Sequence, residues 1–287
     1  MRILITGANG NVGRGLVTAL EAHGHECISS TLDTLDITDF HAVKTQIEAA
    51  NPALVIHTAA MTAVDRCAEQ PDEAIRVNAF GTQNIAIACG RVGAAMCYLS
   101  TNEVFNAERG TPILEYDTTN PANPYGYSKW MGEQMVRNLL PQHYIVRISW
   151  LFAHGGTNFL QKIVSAAEAG RALSVVIDEI ACPTYADDLI AALAALVETQ
   201  RYGIYHFVNE GVTSRYEFAR YALDCYGLAN TPIQRITKAQ WPRPSRPPTY
   251  SALRNFLGAQ IGITLRPWQA AVDAFVEKER QQVQSGT

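Results

Sequence analysis

The chain has 287 residues, 47% of them hydrophobic, with a formal net charge of −4 and six cysteines. That is enough apolar material for one large core, or for a core with a smaller lobe, and nothing in it favours a broadly basic nucleic-acid-binding face, although a local basic pocket for an anionic substrate stays open. No uncharged apolar run is long enough to span a membrane, and Cys27, Cys67, Cys89, Cys97, Cys182 and Cys225 are dispersed without a Cys-x-x-Cys pair, so reduced thiols in the cytoplasm are expected and a zinc or other metal site is not.

The chain opens with Ile3 to Ile5, a short apolar run that reads as a buried strand rather than as a leader peptide. It leads into Gly7-x-x-Gly10-x-x-Gly13 and then a helical pattern. Gly7 suits a tight turn, Gly10 leaves room for a diphosphate, and Gly13 permits close packing of helix on strand. Gly7, Gly10, Asn11, Val12, Gly13 and Arg14 are therefore the expected cofactor-facing set, with the helix amides turned toward an anion. Glycines in a connecting turn also serve geometry alone.

A second strand is expected over Glu26 to Ser29. At its end Ser29, Ser30 and Thr31, beside Arg14, suit a ribose phosphate, whereas Asp33 suits an unphosphorylated ribose. The reading leans to NADPH over NADH, against the alternative that all of them face solvent. Asp36 and Ile37 are placed to meet an adenine, and Thr38 or Asp39 to cap a helix over Phe40 to Ala49.

Ala53 to Ala59 reads as a third parallel strand, ending in the small pair Ala59-Ala60 that lets backbone approach a flat cofactor. Asp72 to Arg91 is helical in pattern. Asn78 interrupts it, either facing solvent, the preferred reading, or buried and organising its neighbours. Ala94 to Leu99 is a fourth strand presenting Ser100 and Thr101 at its end, and Asn106 to Asn123 reads as a loop covering a pocket. A helix begins at Tyr125. Tyr144 to Trp150 is a fifth strand, Phe159 to Ala169 a helix and Leu173 to Ile177 a sixth strand. Further helices are expected over Leu189 to Glu198, over Tyr216 to Tyr226 and from Pro267. A short strand is expected over Gly203 to Val208, an irregular segment over Gln240 to Pro248 and a frayed tail over 281–287. Such alternation predicts an α/β fold, a doubly wound Rossmann-like parallel sheet with a smaller C-terminal substrate-binding lobe. Residues 1–150 would be the dinucleotide-binding core, and 151–287 a mixed region that completes the core and forms the lobe.

Tyr125 and Lys129 stand four apart and share a helix face. A nearby ammonium would lower the phenol's pKa and make it a better proton-transfer group, while Ser100 or Thr101 holds the reacting oxygen. The set suits reduction of a ketone: nicotinamide supplies hydride, Tyr125 the proton, and Lys129 orients the ribose. Each signal alone is as readily structural; together they point to an active site.

His57-Thr-Ala-Ala60, Thr62-Ala-Val-Asp65, Val77-Asn-Ala79, Leu99-Ser-Thr101, Tyr125-Gly-Tyr-Ser-Lys129 and Arg147-Ile-Ser-Trp150 resemble the extended short-chain dehydrogenase/reductase family, most closely its dTDP-4-dehydrorhamnose reductase branch. Asn158-Phe159, Pro183-Thr184, Asp187-Asp-Leu189, Gly203-Ile-Tyr-His206 and Arg246-Pro247 carry the likeness through nearly the whole chain. The resemblance implies NAD(P)H-dependent reduction of the C4 ketone of a nucleotide-linked 4-keto-6-deoxysugar, with Thr101, Tyr125 and Lys129 as the catalytic triad. It implies Ala59, Ala60, Thr62, Asn78 and Ser100 on the cofactor side, and Asp65, Asn102, Trp150 and Arg246 toward the substrate. The branch commonly has Asp-Tyr where this chain has Asn102-Glu103, which puts a carboxylate near the sugar. Competing readings are a redox-neutral nucleotide-sugar epimerase or dehydratase, and a non-catalytic regulatory subunit similar to that of methionine adenosyltransferase. A homodimer and a monomer are equally compatible with the sequence.

Overall fold

The computed structural model describes residues 1–107, 110–155 and 158–285. The short apolar runs become six strands: β1 Arg2–Thr6, β2 Glu26–Ser30, β3 Leu54–His57, β4 Ala95–Thr101, β5 His143–Ile148 and β6 Gly203–His206. They form one sheet in the order β2-β1-β3-β4-β5-β6, and every neighbouring pair is parallel.

The longer helices are α1 Gly13–Ala22, α2 Phe40–Ala50, α3 Thr82–Val92, α4 Pro124–Leu139, α5 Phe159–Glu168, α6 Ala186–Glu198, α7 Arg215–Cys225 and α8 Trp268–Ser285, of which α1, α2, α3, α4 and α6 layer on the sheet. Strand side chains alternate between faces. Ile3, Ile5, Ile56 and Val146 pack with Leu16 and Leu20 of α1 and with Leu189, Leu193 and Leu196 of α6. Leu4, Val55, Met96 and Ile145 pack on the opposite face with Val43 and Ile47 of α2, Ile85 and Cys89 of α3 and Val136 of α4. Burial on both faces explains why these strands read as continuous apolar runs.

A second core gathers Leu160 and Val164 of α5, Phe218 and Leu223 of α7, and Trp268, Val272 and Phe275 of α8 around Phe152. The run expected as the sixth strand belongs here. Leu173–Val176 pairs in parallel with Ile233–Ile236, and Leu173 joins this smaller core, so the edge of the main sheet passes to Gly203–His206.

Three further expectations are revised. The pattern over 72–91 is not one regular helix: a π-turn at Arg76–Gly81 separates Pro71–Ile75 from α3, and it buries Asn78 to 1% exposure. In the segment after β4, none of the described residues of 106–123 lines the cleft at the strand ends; Ile113 packs with Ala252 and Leu253, and its N–H donates to Ala252 O at 2.8 Å. Glu108 and Arg109 within it lie outside the described residues. The last helix runs on through Ser285 where fraying was expected from Gln281, while Gly286 and Thr287 lie outside the described residues. Among the described residues no helix is long and apolar enough to cross a membrane.

Candidate active site

Strand order reverses at β1, whose neighbours β2 and β3 lie on opposite sides. Ligands of open α/β sheets bind beyond the strand carboxyl ends at such a switch point. A cleft of about 870 Å³ opens there.

Gly7 turns the chain out of β1 with φ +68°, and a methyl there would stand 2.9 Å from Ala59 N. A methyl at Gly13 would collide with the carbonyl oxygen of Gly7. Both glycines are thus required by backbone contact, and Gly7, Gly10, Asn11 and Val12 line the cleft. The N-terminus of α1 has no side-chain cap and no acidic residue in its first turn. Its uncapped end and positive dipole favour an anion, and the turn fits a dinucleotide diphosphate.

Ser30, Thr31, Asp36 and Ile37 line the end of the cleft beside β2, and Ala59, Ala60, Met61 and Thr62 line it after β3. Gly13, Arg14, Ser29 and Asp33 are not among the lining residues, and Arg14 Nη2 donates instead to Gly155 O at 3.4 Å. Of the groups weighed for phosphate against free ribose, Ser30 and Thr31 therefore remain at the cleft.

At the opposite end Ser100, Thr101, Asn102 and Glu103 from the end of β4 meet Tyr125 and Lys129 of α4 and Trp150 after β5. Asn123 caps α4 through Gly126 N at 2.8 Å, and its amide nitrogen donates to Glu103 Oε2 at 2.6 Å. The start of α4 is seated so closely that a methyl at Gly126 would strike the Glu103 carbonyl. Thr101, Tyr125 and Lys129 are thereby gathered at one place.

Burial raises the Tyr125 phenol above its ordinary value, Glu103 adds to the rise, and a hydrogen bond from Thr101 opposes it. The sequence suggested a phenol lowered by Lys129; desolvation instead raises it and keeps Tyr125 protonated. Lys129 is itself lowered to about 7 by burial, against the attraction of Glu133, and its Nζ rests 4.1 Å from the centre of the Tyr98 ring. Ser100 Oγ donates at 2.6 Å to Oε1 of Glu133, a residue outside the lining. Burial also raises Glu103, with the Asn123 hydrogen bond and then Arg215 opposing.

Asn78 does not line the cleft but braces it. Its side chain accepts from Met61 N at 2.8 Å and donates to Met61 O and Ser128 Oγ, tying the strand-end loop of β3 to α4. Asp65 and Arg246 also stand outside the lining. Asp65 accepts from Arg243 Nε at 2.9 Å and pairs with the Ser245 hydroxyl, and Arg246 offers its carbonyl to Asn123.

The profile of the RmlD substrate binding domain family matches residues 1–281. The chain belongs to this family. It is 39% identical to dTDP-4-dehydrorhamnose reductase of Mycolicibacterium smegmatis over 275 residues, 94% of this chain and 84% of that one. The structure of the Clostridium acetobutylicum dTDP-4-dehydrorhamnose reductase superposes with a TM-score of 0.93 at 35% identity, covering 98% of this chain and all of the other. That of the Bacillus anthracis dTDP-4-dehydrorhamnose reductase in complex with NADP gives 0.92 at 33% identity, covering 96% and 99%.

This RmlD-family chain also carries residues to which sequence reasoning gave no role. Glu133, four residues beyond Lys129, holds Ser100 and Arg147. Arg215 stacks on the Trp150 ring at 3.7 Å and pairs with Glu179 at 3.4 Å. The spacing 125, 129, 133 on one helix face was a signal for Glu133. Arg215 and Glu179 lie far from Trp150 in the sequence and gave none.

Proposed function

We propose that the protein reduces the C4 ketone of a nucleotide-linked 4-keto-6-deoxysugar, dTDP-4-dehydrorhamnose or a close relative, with NADPH or NADH. The observation that carries this reading is the meeting of Thr101, Tyr125 and Lys129 at one end of a cleft whose other wall is the Gly7–Val12 turn. The names of the relatives supply the sugar. The Bacillus anthracis complex supports the cofactor class.

Gly10, Asn11 and Val12 hold the diphosphate, Ala59 and Ala60 lie along the cofactor, and Asp36 and Ile37 meet the adenine. When bound, the reduced nicotinamide supplies a hydride to the ketone carbon. Tyr125, kept protonated by burial, delivers its phenolic proton to the ketone oxygen as charge develops there. Thr101, at the same end of the cleft, holds the reacting oxygen beside the phenol. Lys129 positions the ribose, and its charged form stabilises the phenolate left behind. Glu103 and Trp150 face the sugar. In this reading 1–150 form the dinucleotide-binding core, and 151–287 complete it and supply the substrate lobe. The six free cysteines fit a reducing compartment such as the cytoplasm.

The test is oxidation of NADPH and NADH with a panel of dTDP-4-keto-6-deoxysugars. Stoichiometric oxidation of added cofactor is expected, which also separates reduction from redox-neutral epimerisation. Well-folded protein inactive on the whole panel would overturn the proposal.

A further inference from the structure

Five buried side-chain atoms have no hydrogen-bond partner among the described residues: Gln46 Oε1, Glu115 Oε2, Ser149 Oγ, His154 Nδ1 and Asn255 Oδ1. Only Ser149 also lines the cleft, and the residue is 1% exposed. A buried hydroxyl without a partner is costly to keep.

The Ser149 backbone is already served. Its N–H donates to Thr184 Oγ1 at 3.3 Å, and its carbonyl accepts from the same hydroxyl at 2.6 Å. Thr184 is fully buried, so residue 149 is fixed on both sides. The next residue, Trp150, has φ +43°, a left-handed conformation uncommon outside glycine. A fixed backbone leaves the free hydroxyl as the one unmet demand of this residue.

Its place in the fold indicates what meets that demand. Ile148 of β5 is in register with Thr101 of β4, so Ser149 follows β5 immediately beside the Thr101 end of the cleft. A dinucleotide with its diphosphate on the β1 turn and its adenine toward Asp36 and Ile37 carries its other ring toward β4 and β5. That nicotinamide ring is flat and largely apolar, with one polar substituent, a carboxamide that both donates and accepts.

We infer that the Ser149 hydroxyl binds the carboxamide of the nicotinamide and so fixes which face of the ring is turned to the ketone. This inference rests on the cofactor reading of the cleft.

The test compares the wild type with Ser149→Ala by calorimetric titration with NADPH or NADH and with the matching ADP-ribose, which keeps the adenine half and lacks the nicotinamide. Affinity for the whole cofactor is expected to fall about tenfold, equivalent to ~1.4 kcal/mol. Affinity for the ADP-ribose should stay within about twofold, and the melting temperature of the ligand-free variant should be no lower than that of the wild type. Equal loss for both ligands, no loss for either, or a lowered melting temperature would overturn the inference. Failure of the wild type to bind either ligand would instead overturn the cofactor reading beneath it.

Discussion

Arg147 grips both carboxylate oxygens of Glu133, through Nε at 2.9 Å and Nη2 at 2.7 Å, in an interior that leaves the two side chains 2% and 0% exposed. Removing one charge of such a pair strands the other without water. Glu133→Gln is expected to lower stability by about 3–5 kcal/mol, read as a shift of the urea midpoint. An unchanged midpoint would show that the pair is not held as described.

Tyr125→Phe deletes the proton donor while keeping the ring. Turnover is expected to fall by roughly 10²–10⁴. Cofactor affinity by fluorescence titration should change by less than about twofold, because the phenol acts on the ketone oxygen. Loss of cofactor binding along with turnover would point to a misfolded cleft rather than a lost acid.

Lys129 has an ordinary value of 10.5 and is lowered to about 7 in the fold. Between those two values the unfolded chain binds a proton that the folded chain does not. The Lys129 contribution to stability therefore rises as pH increases through that window, and the full penalty for burying the cation applies below about pH 7. Lys129→Met should flatten this slope and be more stable at about pH 6 by roughly 1–4 kcal/mol, measured by urea unfolding at several pH values.

Glu103 is raised above 4.5 by burial. Its protonated form is favoured by the fold, so the stability it lends is complete below that value and is lost as pH climbs through the folded one. Glu103→Gln removes the loss, and its unfolding midpoint should exceed that of the wild type at neutral pH. Glutamine also removes a negative charge that raises Tyr125, so the phenol should titrate lower in the variant by ultraviolet difference spectroscopy. A lower midpoint together with an unmoved phenol would contradict the placement of this carboxylate.

Gly13 lies in the first turn of α1, where alanine would favour an isolated helix by ~1 kcal/mol. The Gly7 carbonyl and Ala8 occupy the space that a methyl would need. Gly13→Ala should therefore destabilise the protein, by about 1–3 kcal/mol in thermal or urea unfolding, and weaken cofactor binding as the turn shifts.

Much of the layered fold was legible because each central strand is buried on both sides and writes itself as an unbroken apolar run. Leu173–Ile177 misled for the same reason: a strand buried against the smaller core has the same composition as one in the main sheet, and nothing local says which core receives it. The glycine turn and the Tyr125–Lys129 pair were readable because chemistry at such places needs fixed spacing. Asn78 was not, since the π-turn that carries it inward leaves the same residues in the same order. The hydroxyl of Ser149 became visible only when its neighbours could be counted.

The order of strands across the sheet bears on how the chain assembles. β2 joins one side of β1, β3 the other, and β4, β5 and β6 follow outward in turn. Every strand thus docks on an edge that already exists, and none must be threaded between two formed neighbours. A chain emerging N-terminal end first can lay the sheet down vectorially. The open edge at each stage can template the next strand, and the reaction end of the cleft is built from β4 and β5, which are synthesised after the nucleotide turn at β1.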